Sequence, residues 1–177
     1  FMKKKIEELL KESIDVKNKL LETQVGEIEK LAKAMLETIK SGHKILLFGN
    51  GGSATDSMHI AAELVGRFRK ERKALPAIAL TADSSLLTAW SNDYGYDTVF
   101  ARQLQAFASS NDIFVAISTS GNSENIIKAV AEAKKLNMKV ISLLGKNGGK
   151  MKNSSDIEII VSSDNTPIIQ ENHLMIF

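Results

Sequence analysis

The stretch that most constrains this chain is an apolar run, Lys44, Ile45, Leu46, Leu47 and Phe48, stopped by Gly49, Asn50, Gly51, Gly52, Ser53 and Ala54. A run that short, closed by glycine, reads as a buried strand rather than a helix. Gly49, Gly51 and Gly52 make a turn with almost no side-chain bulk, where a ligand can approach bare backbone. Ser53 or Thr55 stands where a cap belongs for the helix that follows. Unpaired N–H groups and the positive dipole end of that helix suit an anion or a sugar hydroxyl. Asp56, His59 and Glu63 follow at spacings of three and four, on one helical face. Strand, glycine turn and polar-faced helix together read as a site.

The same alternation continues along the chain. Residues 77–80, 113–117, 139–144 and 156–161 read as further strands, with helices expected over 84–91, 98–108 and 125–136 and a final apolar stretch from Pro167. The strands are continuous apolar runs, the pattern of an α/β fold whose parallel sheet is covered on both faces. Ligands of such sheets bind outside the carboxyl ends of the strands. Two polar loops fall there, 49–53 and 118–123, and a turn-rich loop is expected over 92–97. Residues 3–40 have helical periodicity, with a bend expected at 23–26. Their apolar stripe needs cover, either from the sheet of the same chain or from another subunit.

At 177 residues the chain suits a single domain spanning 1–177, with 44% hydrophobic and 25% charged residues. A net charge of +2 gives no argument for nucleic acid. With no cysteine, disulfides and thiolate zinc sites are excluded. No signal peptide and no membrane-length apolar run is seen, so the expectation is a cytoplasmic protein without a membrane partner.

Three constellations carry chemistry, each with a plainer alternative. Gly49 to Ala54 fits the loose dinucleotide pattern G-x-G-x-x-A, but a nicotinamide enzyme also wants an acidic residue about 20 positions on, and Asp83 lies well beyond that. Ser118, Thr119, Ser120, Gly121, Asn122 and Ser123 form a loop of four hydroxyls and a glycine between a strand and a helix start. Backbone N–H groups and hydroxyls there suit a phosphate. A helix cap by Asn122 or Ser123 explains one such side chain, not the set. His59 and Glu63, at i and i+4, offer two metal ligands or an acid–base pair, against a polar helix face with a hydrogen-bonded histidine. Asp56 is a candidate to orient His59. Arg67 and Arg69 offer charge for a substrate, or only a solvated basic loop.

Taken together and in order, these motifs resemble the sugar isomerase (SIS) domain family, and within it the phosphoheptose isomerases. The resemblance also includes Met58, Ala62, Leu64, Gly66 to Arg69, Asn92 with Asp93, Gly145 with Lys146, Gly148 to Met151, and Ile169 to Glu171. It implies a three-layer fold with a five-stranded parallel sheet and an N-terminal helical segment, assembled as a homotetramer with sites at subunit junctions. It implies interconversion of D-sedoheptulose 7-phosphate and D-glycero-D-manno-heptose 7-phosphate through an enediol, towards ADP-heptose and lipopolysaccharide core or surface glycans. By the resemblance, a phosphorylated seven-carbon sugar is contacted by Asn50, Gly51, Gly52, Ser53, Asn92, Asp93 and Gln170, its phosphate by Ser118, Thr119, Ser120 and Ser123, and Glu63 is the base. His59, Glu63 and Gln170 are implied as zinc ligands. The family's fourth ligand, a histidine, would fall just past Phe177, and the chain is expected to stop inside a helix there; His173 is not its equivalent. The same family includes non-catalytic members, a replication-initiator-associating adaptor and sugar-phosphate sensors, as the alternative reading.

Overall fold

The computed structural model describes all of residues 1–177. Five strands, β1 (Ile45–Gly49), β2 (Ala77–Ala79), β3 (Ile113–Ser118), β4 (Lys139–Gly145) and β5 (Ile157–Val161), form one parallel sheet in the order β2-β1-β3-β4-β5. Seven helices surround it: α1 (Met2–Thr23), α2 (Val25–Lys40), α3 (Gly52–Val65), α4 (Ser84–Tyr94), α5 (Val99–Phe107), α6 (Glu124–Lys135) and α7 (Thr166–Ile176). The expected α/β class, the five parallel strands and the N-terminal helices are all present.

Two separate apolar clusters explain why the strands carry unbroken apolar runs. Ile45, Leu47, Ile113, Val115, Ile117, Ile141 and Leu143 face one way, against α2, α3 and α7. Leu46, Phe48, Phe114, Ala116, Val140 and Leu144 face the other way, against α5 and α6. Successive side chains of a strand alternate between faces, so both faces must be apolar when both are covered. Phe48, Phe100 and Phe114 anchor the second cluster, with ring centroids 4.2 and 5.0 Å apart from Phe48.

Most differences from expectation lie at element ends. The bend of the N-terminal segment falls at Gln24, between α1 and α2. The loop expected from residue 92 begins later. Asp83 caps α4 by accepting from the Leu86 N–H at 2.9 Å, and the helix runs on through Asn92 and Asp93 until Gly95, at φ 92°, ends it. Glycine adopts such a positive φ at little cost, so the helix can stop there. Neither Ser53 nor Thr55 caps α3; the cap position is Gly51, at φ 55°, and no side chain bonds there.

The helix α7 carries a buried histidine. His173 is fully buried, with Nε2 3.0 Å from the Leu144 carbonyl oxygen and Nδ1 without a partner. Burial, only partly offset by that hydrogen bond, lowers its pKa to about 4. Between the unfolded value near 6.5 and the folded value, the unfolded chain binds the extra proton, so stability falls as pH drops through that window. The loss should reach about 3 kcal/mol at pH 4. His173→Gln should flatten this part of a denaturation-versus-pH curve; an equally steep curve in the variant would show that His173 is not its source.

Candidate functional site

The strand order reverses direction between β1 and β3, and in open parallel sheets that switch point, at the carboxyl ends of the strands, is where ligands bind. Gly49 ends β1 and pairs in register with Ile117 of β3, so the two polar loops expected from sequence lie side by side. A Cβ on Gly49 would stand 2.5 Å from the Ser53 Cβ and 2.9 Å from the Ile117 oxygen. Only glycine lets the turn close this tightly.

The loop after β3 is held from within and from outside. The Ser118 hydroxyl accepts from the Gly121 N–H at 3.0 Å, and the Ser120 hydroxyl accepts from the Asn122 N–H at 3.2 Å. Asn122 does not cap α6. Its amide donates to the Ser120 carbonyl oxygen and accepts from the Lys150 N–H, both at 3.0 Å. Ser123 occupies the cap position of α6 without making a side-chain cap bond. A helix N-terminus with no side-chain cap, preceded by half-buried Thr119, Ser120 and Ser123, is the arrangement a phosphate takes. As acceptors from the backbone, Ser118 and Ser120 still have their own O–H to donate.

The glycine turn is shaped by two distant residues. Gln170 of α7 lies directly against Gly52, where a Cβ would displace its side-chain amide. Asn50 is paired with Asn125 of α6 through two amide hydrogen bonds, of 3.0 and 2.9 Å, and accepts a third from the Tyr96 hydroxyl at 3.0 Å. Asn125 and Tyr96 were not singled out from sequence. The signal available for Asn125 was a polar residue on the apolar face of a helix; Tyr96 had none. Asn92 and Asp93 are exposed on the last turn of α4, bonded to each other at 2.9 Å.

His59 and Glu63 form a second group. His59 Nε2 stands 3.4 Å from Glu63 Oε1, with side chains 54% and 39% exposed. They border a cavity of about 510 Å³ walled mainly by Leu31, Met35, Leu64, Leu174 and Phe177. Arg72 donates to the Glu63 and Leu64 carbonyl oxygens at 2.7 and 2.9 Å, closing the end of α3. Asp56 does not orient His59 by a hydrogen bond. Its Oδ2 is buried without a partner, and burial raises its pKa, with the His59 charge acting in the opposite sense. Arg67 pairs with Glu71 at 3.2 Å and Arg69 lies over the Phe68 ring, both in an exposed loop.

A single chain therefore brings the glycine turn, the hydroxyl loop and Gln170 together, but not Glu63. Glu63 comes eleven residues after Gly52 on one helix, a distance of about 16 Å along its axis. None of residues 118–123 lines its cavity. Zinc sites use three or four protein donors. His59 and Glu63 are two; no third His, Cys, Asp or Glu joins them, and Gln170 packs on Gly52 instead. Taken alone, the donors of one chain do not complete a zinc site.

The SIS domain model matches residues 8–145. A phosphoheptose isomerase of Aliarcobacter butzleri is 54% identical over 157 residues, covering 89% of this chain and 83% of the relative. The structure of a phosphoheptose isomerase from Francisella tularensis superimposes with a TM-score of 0.96 at 42% identity, over 99% of this chain and 94% of that one. That of the phosphoheptose isomerase from Neisseria gonorrhoeae gives 0.94 at 40% identity, with the same coverage.

Proposed function

The chain belongs to the phosphoheptose isomerase family of SIS-domain proteins, and on that premise we propose that it is an aldose–ketose isomerase interconverting D-sedoheptulose 7-phosphate and D-glycero-D-manno-heptose 7-phosphate. The observation that carries the reading is the side-by-side placement of the hydroxyl loop 118–123 and the glycine turn 49–53 at the β1/β3 switch point. The first holds a phosphate and the second, with Asn50, meets sugar hydroxyls. The product would feed ADP-heptose and surface glycans.

Aldose–ketose isomerisation moves a proton between adjacent carbons through an enediol. A carboxylate removes the carbon-bound proton and returns it to the neighbouring carbon, while a second group exchanges protons with the oxygens. Glu63 is that carboxylate. Binding of the remote phosphate fixes the reacting end of the sugar, so affinity far from the chemistry is used to orient it. Incubating the protein with sedoheptulose 7-phosphate and assaying for the aldose tests the reading; no aldose overturns it.

Because Glu63 lies about a helix length from Gly52 of its own chain and none of residues 118–123 lines its cavity, the proposed working site joins the loops of one copy to the His59–Glu63 pair of another. The exposed face of α1 supports this. Ile6, Leu9, Leu10 and Ile14 are uncovered, whereas Val16 and Leu20 alone anchor the helix in the core. An exposed apolar stripe of this kind marks an interaction surface, and a homotetramer is the assembly proposed. Ile14→Glu should lower the solution mass to that of smaller species and reduce turnover at least about tenfold. A variant that keeps both mass and turnover excludes α1 as the contact. A zinc ion, held by His59 and Glu63 with further donors supplied on assembly, is proposed with it; metal analysis of the assembled protein after dialysis against zinc decides, and sub-stoichiometric zinc rejects it.

A further inference from the structure

The Asn50–Asn125 pair joins two segments that no other side-chain hydrogen bond connects directly. Asn50 follows β1 and opens the glycine turn; Asn125 lies in the first turn of α6, immediately after the hydroxyl loop. Asn125 is 4% exposed. Each amide donates to the other's oxygen, a closed pair of two hydrogen bonds. Tyr96 adds a third bond from the segment that follows Asn92 and Asp93, and its ring packs edge-on against Phe100 of the core. The neighbouring Asp97 is tied to Lys128 of α6. The side chain of Asn50 is thus fixed from two sides before any ligand arrives.

We propose that Asn125 and Tyr96 are positioning residues that brace the glycine turn against the phosphate loop through Asn50, setting the spacing between the two ends of a bound sugar phosphate. The proposal rests on the sugar-phosphate reading above and extends it to residues outside the expected contacts. A phosphorylated sugar held at both ends reacts only if its reactive carbons meet the base at the right distance. Misplacement by about 1 Å costs about 100-fold in rate. Removing the brace leaves every loop donor in place but frees the turn to move relative to them. The deficit should therefore appear in turnover and not in phosphate affinity.

The test uses the assembled protein with Asn125→Ala and Tyr96→Phe. Turnover is measured with sedoheptulose 7-phosphate, and inorganic phosphate is used as a competitive inhibitor. Asn125→Ala should lower kcat about 100-fold and leave the phosphate inhibition constant within about twofold. Tyr96→Phe, which removes one hydroxyl, should lower kcat about fivefold. In the background of Asn50→Ala, the Asn125→Ala change should add little, since coupled residues are non-additive. Unchanged kcat in both variants overturns the brace. So does a phosphate constant that rises in step with the loss of kcat, the result of simple collapse of the loop. Hydrogen exchange at the amides of residues 50–53 tests the brace even if the wild-type protein proves not to isomerise this sugar. Exchange should quicken about tenfold in Asn125→Ala, and unchanged exchange overturns the proposal. Absence of isomerisation by the wild type, by contrast, fails the activity reading alone.

Discussion

Glu63→Gln is expected to remove isomerisation by about 10⁴-fold, at the upper end of what a general base contributes, while leaving sugar phosphate binding within a few-fold. The amide keeps the size of the carboxylate and its place on α3, but it cannot take a proton from carbon. The fold should not register the change. Glu63 is partly exposed, and the bond that closes the end of the helix uses its carbonyl oxygen with Arg72, not its side chain. On the proposed reading, binding should persist because loop 118–123, the proposed phosphate site, does not line the Glu63 cavity. Two measurements check this: turnover, and exchange of the transferred hydrogen with solvent deuterium. A variant that still exchanges that hydrogen at the wild-type rate would assign the base to another group.

Gly121→Ala is expected to cost about 3 kcal/mol or more of stability and to abolish phosphate binding. Gly121 sits at φ 62°, where any side chain is strained, and its added Cβ would overlap the Gly148 carbonyl oxygen. The neighbouring atoms cannot simply give way. The Gly121 N–H is bonded to the Ser118 hydroxyl, and the Gly121 carbonyl oxygen accepts from the Met151 N–H at 3.0 Å. The hydroxyl loop and the Gly148–Gly149 turn therefore rest on each other backbone to backbone. Gly26→Ala serves as the control, because a Cβ there meets nothing within 4 Å and Gly26 lies inside α2. It should stabilise by about 0.5 kcal/mol. Thermal melts and phosphate titrations of the two variants are compared. Equal, small effects in both would mean that the loop tolerates a side chain where the geometry forbids one.

Much of this was legible from local pattern. The apolar runs at 45–48, 113–117 and 139–144 have no alternation, and the structure shows why: both faces of the sheet are covered. The hydroxyl loop was readable because four hydroxyls exceed what a helix cap needs, and the structure leaves Ser123 without a cap bond. Element ends were less legible. Asn92 and Asp93 look like turn residues, yet the Asp83 cap and Gly95 place them inside α4. Ser53 looks like a cap, yet Gly51, at a positive φ of 55°, takes that position. In both places a glycine conformation, set by the tightness of the turn, outweighed the preference of the polar side chain.

The parallel α/β architecture, the position of two polar loops at one sheet edge and the family were readable along the chain, because apolar periodicity, glycine turns and motif order are local. It took the packed fold to show that Gln170 rests on Gly52 and that Asn125 and Tyr96 hold Asn50. These are relations between segments far apart along the chain. They follow from how helices are laid on a sheet, and residue spacing carries no record of them.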